Sequence, residues 1–407
     1  IKRPHIIKTM ALHHEPARWR GVRTVKTSNG YEGVDIQPVQ GLRGIRSLNP
    51  GEGPPVPAPH GLWRNLIKEI GEEYNVAAFN YDWRRWGDLF YVEEVLEDFR
   101  LAVEEAYQMS GQKVVLVGHS MGAQVCSYCL GALGSWWTQS YVDDLVLVGG
   151  AAMGSPSMFA AYANGPSALA HSSAIPVAEF YETKLAEVTS TWGCMISEFP
   201  VPVGGVNCFD EDLVFAKTPS KSYCLKDVKE FLEDLSACEE PPEQVKRERA
   251  NSTHEKVRTW LEEHNFVSTV EKWSPGYKTA ARMYEGVASM ARYMTAPSCR
   301  THFIYSNNIQ TVTGMTWKTD NLYDKAVLAD FVPGDDTVTA ASIEKLAAAW
   351  KEAGTEVCLH VCPGKVHHKN LIICDFTLNL LHRIMEGENV TENDDVEDGP
   401  KNGTVMC

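Results

Sequence analysis

Four apolar residues, 114–117, run straight into Gly-His-Ser-Met-Gly, and helical spacing begins immediately after. The unbroken apolar run reads as a strand buried on both faces of a parallel sheet. Beyond the serine, Met121, Val125, Cys126, Cys129 and Leu130 recur at the three-and-four spacing of an amphipathic helix. Ser120 therefore sits on a strand-to-helix turn, with Gly118 and Gly122 where a Cβ is expected to meet neighbouring backbone. Such a G-x-S-x-G elbow lifts a hydroxyl above the sheet and points it at a helix N-terminus. Ser120 is thus a candidate nucleophile, which would need a base and an orienting acid further along the chain.

The rest of the chain repeats the alternation of strand and helix. Residues 76–79 and 145–148 read as strands, and 60–74 and 92–109 as amphipathic helices. THFIYS from Thr301 and EVCLHVC around Val357 read as later strands. Residues 341–353 form a helix between them, and 371–385 a closing helix. This order predicts an α/β fold with a mostly parallel sheet flanked by helices, spanning residues 1–387. Between 151 and 300 the alternation fades into GSPSMF, SEFPVPVGG and the charged EEPPEQVKRERANSTHEK. That stretch is expected to be a large lid or cap insertion, and its charge run a solvated face. Trp136, Trp137, Trp192, Trp260 and Trp273 lie in or beside it, where packing or an acyl-chain pocket would use them. The acidic, turn-rich 388–407 reads as a disordered tail.

Charge narrows the partners. With 38 basic against 53 acidic residues the formal charge is −15, which excludes nucleic acid or an anionic membrane as a general electrostatic partner. A local apolar docking face remains open. No window of eighteen apolar residues marks a transmembrane helix. Cys126 and Cys129 read as small core residues. Cys194 with Cys208, or Cys224 with Cys238, are separated by loop-like sequence, and spacing does not decide whether they are bridged. Sequons at Asn251, Asn389 and Asn402 lean toward a secretory-pathway lumen. Neither a dinucleotide-binding Gly motif nor a metal-ligand cluster competes with the elbow, so no cofactor and no metal are expected.

The elbow's partners occur downstream in the required order. FVPGDDTV places Asp335 and Asp336 just before a helix, and PGKVHHKN places His367 and His368 after the last strand. Either acid also suits a turn or a helix start, and one histidine of the pair must do something else. His119 and His360 lie near strand ends as well.

NYDWRRWGD at 80–88, GHSMG at 118–122, GDDTV at 334–338 and HHKN at 367–370 resemble the lecithin:cholesterol acyltransferase family. GVDIQPVQGL from Gly33 and VFAKTPSKSYCLKDVKEFLEDL from Val214 are similar to further family segments, so the likeness runs from about residue 30 to about residue 385. The resemblance implies an α/β-hydrolase fold with Ser120 as nucleophile, Asp335 as orienting carboxylate and His368 as base. It implies the Met121 N–H as one oxyanion donor, and Trp83 and Trp192 as substrate-binding residues. Asp82 and Arg84 are expected to be a buried ion pair. The implied chemistry is acyl transfer from a phospholipid at a membrane surface to diacylglycerol or a sterol, in the endoplasmic reticulum or another secretory lumen. GHSMG and the SLNPG stretch at 47–51 tilt this toward the phospholipid:diacylglycerol branch. Lipase or phospholipase A hydrolysis, and an impaired lipid-binding relative, are the rival implications. The family's second oxyanion donor comes from a Gly-rich loop after an early strand. No such segment precedes the chain's first residue, Ile1, so the N-terminal strand is expected to be missing from a fragment.

Overall fold

A computed structural model of the chain describes residues 22–26, 32–36, 62–165, 189–238 and 275–391. In chain order the elements are β1 (Val22–Lys26), β2 (Glu32–Ile36), α1 (Leu62–Gly71), α2 (Leu89–Ser110), β3 (Val114–His119), α3 (Gly122–Tyr141) and β4 (Val142–Val148). Then follow α4 (Met158–Asn164), α5 (Gly193–Ser197), β5 (Ala216–Lys217), β6 (Ser222–Tyr223), α6 (Val228–Ala237) and α7 (Pro275–Ala291). The C-terminal part holds β7 (Arg300–Tyr305), β8 (Ile309–Thr316), β9 (Val327–Gly334), α8 (Ala340–Glu352), β10 (Val357–Val361), α9 (His368–Leu371) and α10 (Asp375–Met385).

The central sheet runs β10-β7-β4-β3, all parallel. The middle of β4, Leu145–Val148, is an unbroken apolar run because both faces of the sheet are covered there. Leu145 and Leu147 of β4 join a core with α2, α3 and α8, whereas Val146 and Val148 face the opposite core with α1 and α10. Phe303 and Ile304 of β7 divide in the same way. All four strands point their C-terminal ends at one edge, and the turn residues there converge.

A second sheet, β6-β5-β8-β9, stands apart from the first. The antiparallel β8–β9 pair leaves the end of β7 and returns at Gly334, one residue before Asp335. β5, from the region between 151 and 300, lies parallel beside β8. The sheet therefore ties that region to the segment that delivers the acid.

Several elements differ from expectation. Residues 76–79 are not a strand: no described backbone pairs with them, and an extended segment without a ladder stays irregular. The closing helix is broken, because Cys374 adopts an extended conformation (φ −75°, ψ 150°) and caps a separate α10. β8 and β9 were not anticipated. The described cysteines, Cys194, Cys208, Cys224 and Cys238 among them, are free thiols in this structure. Asn389 is exposed, while Asn251, Asn402, Trp260, Trp273 and most of the charge run and acidic tail lie outside the described residues. Among the described residues no helix is long and apolar enough to cross a membrane.

Candidate active site

Ser120 follows β3 in the left-handed region at φ 56°. A non-glycine residue there is costly and persists only where its surroundings enforce it. The enforcement is visible: the Ser120 N–H donates to Val148 O on β4 at 3.1 Å, and its carbonyl accepts from Ala123 and Ala151 N–H at 3.0 and 3.1 Å. Gly118 makes room for the turn, since a Cβ there would stand 2.8 Å from the Gly122 carbonyl oxygen. Gly122 is different: nothing lies within 4 Å of its hypothetical Cβ, so the steric demand falls on the first glycine of the elbow alone.

The histidine loop and the turn after β9 complete a relay. His368 Nε2 is 2.8 Å from Ser120 Oγ, and His368 Nδ1 is 2.8 Å from Asp335 Oδ2. Asp335 is buried, and its other oxygen accepts from the backbone N–H groups of Thr337 (3.0 Å) and Val338 (2.7 Å). A further bond runs from His368 N–H to Asp335 O at 2.8 Å. With both carboxylate oxygens engaged, the acid can turn neither itself nor the imidazole.

The neighbouring acid and histidine form their own pair. Asp336 Oδ2 lies 2.5 Å from His367 Nδ1, and the His367 ring is nearly half exposed. The structure thus sorts the two Asp–His combinations. The pair 335/368 reaches the serine, and the pair 336/367 forms a partly solvated brace beside it.

Burial alone would lower the pKa of His368, but the charges of Asp335, Asp336 and Glu198 and its hydrogen bond to Asp335 outweigh that and raise it. His119, whose ring lies 5.0 Å from that of His368 at a tilt of 33°, is pushed down to about 4 by burial and by the His368 charge. Its neutral ring donates from Nε2 to the His368 carbonyl at 3.0 Å and supports the loop without competing for the proton.

A family model for lecithin:cholesterol acyltransferase matches residues 20–375. The chain belongs to that family. It is 23% identical over 326 residues to the phosphatidylcholine-sterol acyltransferase of Gallus gallus, covering 79% of this chain and 65% of the avian one. It is 24% identical over 378 residues to the lysosomal phospholipase A and acyltransferase of Bos taurus, covering 90% of this chain and 77% of that one. The chain therefore spans about two thirds to three quarters of these relatives' lengths. In the crystal structure of the Tle4–Tli4 complex, a chain with 13% sequence identity matches 94% of this one at a TM-score of 0.51 and covers 78% of its own length. The architecture is that of an α/β hydrolase.

The block at 80–88 that carries much of the family likeness is structural in its charges. Arg84 grips Asp82 with two hydrogen bonds, 2.8 and 2.5 Å, and both side chains are buried. Arg85 pairs with Asp88 at 3.2 Å and lies over the Tyr91 ring. Each desolvated charge costs several kcal/mol, which the partner charge and its hydrogen bonds offset. Trp83, between them, is 46% exposed and meets buried Trp192 edge-on at 5.0 Å. Met121, the expected oxyanion donor, is the N-cap of α3, so its N–H heads the helix beside Ser120.

Three contributors escaped sequence reasoning. Gly149, at φ 53° after β4, leaves the space in which the Asp335–His368 pair sits: a Cβ there would be 3.1 Å from both Asp335 Oδ2 and His368 Nδ1. The GG pair ending DDLVLVGG was the available signal. Gln124 accepts from Trp86 Nε1 at 2.9 Å and donates to the Ala151 and Ser197 carbonyls at 3.0 and 2.8 Å. The Glu198 carboxyl is raised to about 8 by burial, against the opposing charge of His368, and its Oε1 has no hydrogen-bond partner among the described residues. Nothing in SEFPVPVGG announces a buried acid.

Of metal-ligand donor sets, His302, Cys358 and His360 cluster, buried, on β7 and β10. His302 Nδ1 and His360 Nε2 are 3.0 Å apart, the spacing of a single N–H···N bond, and Asp144 adjoins His302.

Proposed function

We propose that the chain is a serine-dependent lipid O-acyltransferase that takes a fatty acyl group from a phospholipid and passes it to a hydroxyl acceptor, diacylglycerol or a sterol. The observation that carries this reading is the unbroken relay from Ser120 Oγ through His368 to Asp335, at 2.8 Å on each side of the imidazole. Ser120 attacks the ester carbonyl while His368 Nε2 takes its proton. Asp335 holds the other ring nitrogen and stabilises the imidazolium. The Met121 N–H is placed to stabilise the oxyanion. The lysophospholipid leaves with the proton from His368. An acceptor hydroxyl then gives its proton to His368 and attacks the acyl-enzyme, and His368 passes that proton to the departing Ser120 oxygen as the new ester forms.

Trp83 and Trp192 line the acyl-chain path in this reading, and residues 151–300, extended by β8 and β9, cap the site. The exposed apolar side chains of Trp83 and Phe90, 46% and 55% accessible, suit a lipid surface. A secretory or lysosomal lumen is the proposed location. The lysosomal relative from Bos taurus supports it, as does the exposed sequon at Asn389.

Hydrolysis is the second reading, favoured by the bovine relative, a lysosomal phospholipase A and acyltransferase. Water and an alcohol compete for one acyl-enzyme, and the dryness of the site sets the ratio. The deciding experiment supplies acyl-labelled phospholipid in vesicles with and without diacylglycerol or sterol, beside Ser120→Ala. Labelled triacylglycerol or sterol ester, absent with the variant, is the expected result. Free fatty acid alone, with acceptor present, would leave the phospholipase reading. No Ser120-dependent product would end both.

A further inference from the structure

The histidine loop is bracketed by two cysteines whose sulfurs touch. Cys362 directly follows β10, buried, with its N–H bonded to Tyr305 O on β7 at 2.7 Å. Cys374 is the N-cap of α10, whose Leu380, Leu381 and Ile384 fill the core on one face of the sheet. Between them the chain carries buried Val366, then His367 and His368. The two Sγ atoms stand 3.6 Å apart.

We infer that Cys362 and Cys374 form a disulfide that staples the histidine loop between the end of the sheet and α10. A disulfide of about 2.05 Å would require the sulfurs to close by roughly 1.5 Å from their 3.6 Å contact, a side-chain adjustment rather than a backbone one. The two cysteines are unequal, and this sets the order of events. Cys374 is partly exposed and caps a helix N-terminus, which favours a thiolate. The adjacent Cys362 thiol, followed by burial acting the other way and by Thr377, leaves the Cys374 thiol well below its ordinary range. Cys374 is thus the attacking sulfur and buried Cys362 the resolving one.

The oxidant is a small disulfide such as oxidised glutathione. The Cys374 thiolate attacks one of its sulfurs and expels a glutathione thiolate, giving a mixed disulfide. Cys362 loses its proton to solvent, attacks the Cys374 sulfur and expels the second thiolate. Two electrons pass to glutathione, and both released thiolates take up protons.

The loop enclosed by the staple is the one whose placement sets the His368–Ser120 contact. His368 is otherwise held by its N–H to Asp335 O and by His119 on its carbonyl. The cross-link removes open-loop states from the unfolded ensemble and restrains the loop when those bonds break.

The test uses the full chain, incubated with oxidised glutathione, blocked with N-ethylmaleimide and digested without reduction. The expected result is a linked peptide pair carrying Cys362 and Cys374, lighter by two hydrogens than the reduced pair and absent in Cys362→Ser. Reducing the wild-type protein should lower its unfolding midpoint by about 3 °C or more. Fluorophosphonate labelling of Ser120 should slow at least about twofold with the loop released. Maleimide on both sulfurs after oxidation, or linkage of either to another cysteine, overturns the staple. Linked and reduced forms with equal melting and labelling overturn its restraining role. Peptide mapping reads the bond whether or not Ser120 transfers an acyl group, so failure of the proposed chemistry is distinguishable.

Discussion

Two neighbouring carboxylates and two neighbouring histidines are nearly indistinguishable as sequence, yet their surroundings make them unequal. Asp335 is buried and orients the imidazole that reaches Ser120, whereas Asp336 pairs with a half-exposed ring. Asp335→Asn should therefore slow fluorophosphonate labelling of Ser120 by about 10⁴-fold, because the wrong tautomer then faces the serine. Asp336→Asn should stay within about tenfold, as expected for a solvated pair. The same contrast applies to proton affinity. His368 must be neutral to accept the serine proton, and its pKa lies above 6.5. Labelling against pH should accordingly rise with pH and reach half-maximum above pH 6.5. Glu198 titrates in the opposite sense for stability. Its folded pKa of about 8 exceeds the ordinary 4.5, so the folded state holds the proton more tightly. Stability should decline as pH rises between those values. In Glu198→Gln that decline should shrink, seen as a smaller fall in unfolding midpoint between pH 5 and pH 8.

At the scale of elements, the site is made of strand ends. Ser120 follows β3, Gly149 follows β4 and leaves space, Asp335 follows the return of β9, and His368 lies after β10. Each end carries a conformational demand, and Gly149 meets two at once, a positive φ and a bare Cα facing the Asp–His pair. Gly149→Ala should cost about 1–3 kcal/mol in chemical-denaturant unfolding from backbone strain. It should also lower the labelling rate by more than that instability explains, because the added methyl displaces His368. An equal loss of folded protein and of labelling would argue that the glycine serves the fold alone.

At the scale of the molecule, the central sheet and the region inserted after β4 are joined by polar contacts across long sequence distances. Gln124 is the clearest, linking the elbow helix to Trp86, Ala151 and Ser197. The second sheet is another link, with β5 and β8 pairing across about a hundred residues. Gln124→Leu would strand a buried indole N–H and two carbonyls. It should destabilise the protein by about 2–4 kcal/mol, measured as a shift in denaturant midpoint with an unchanged slope.

What the sequence alone determined about this chain is the class of architecture and the chain order of the candidate serine, acid and histidine. Periodicity is a local property, and an apolar run ending at Gly118 and resuming at helical spacing leaves the backbone one way to turn. THFIYS and EVCLHVC, buried on both faces, read as strands for the same reason. Tertiary structure decided what depends on neighbours. Residues 76–79 have strand composition but pair with no strand among the described residues. β8 and β9 exist because they pair with each other, and Gly122 turned out to face open space. The family resemblance already implied Asp335 and His368, but the contacts that join them to Ser120, the raised pKa of Glu198 and the meeting of Cys362 with Cys374 rest on burial and distance. Those quantities are set when distant segments pack, and no window of the sequence contains them.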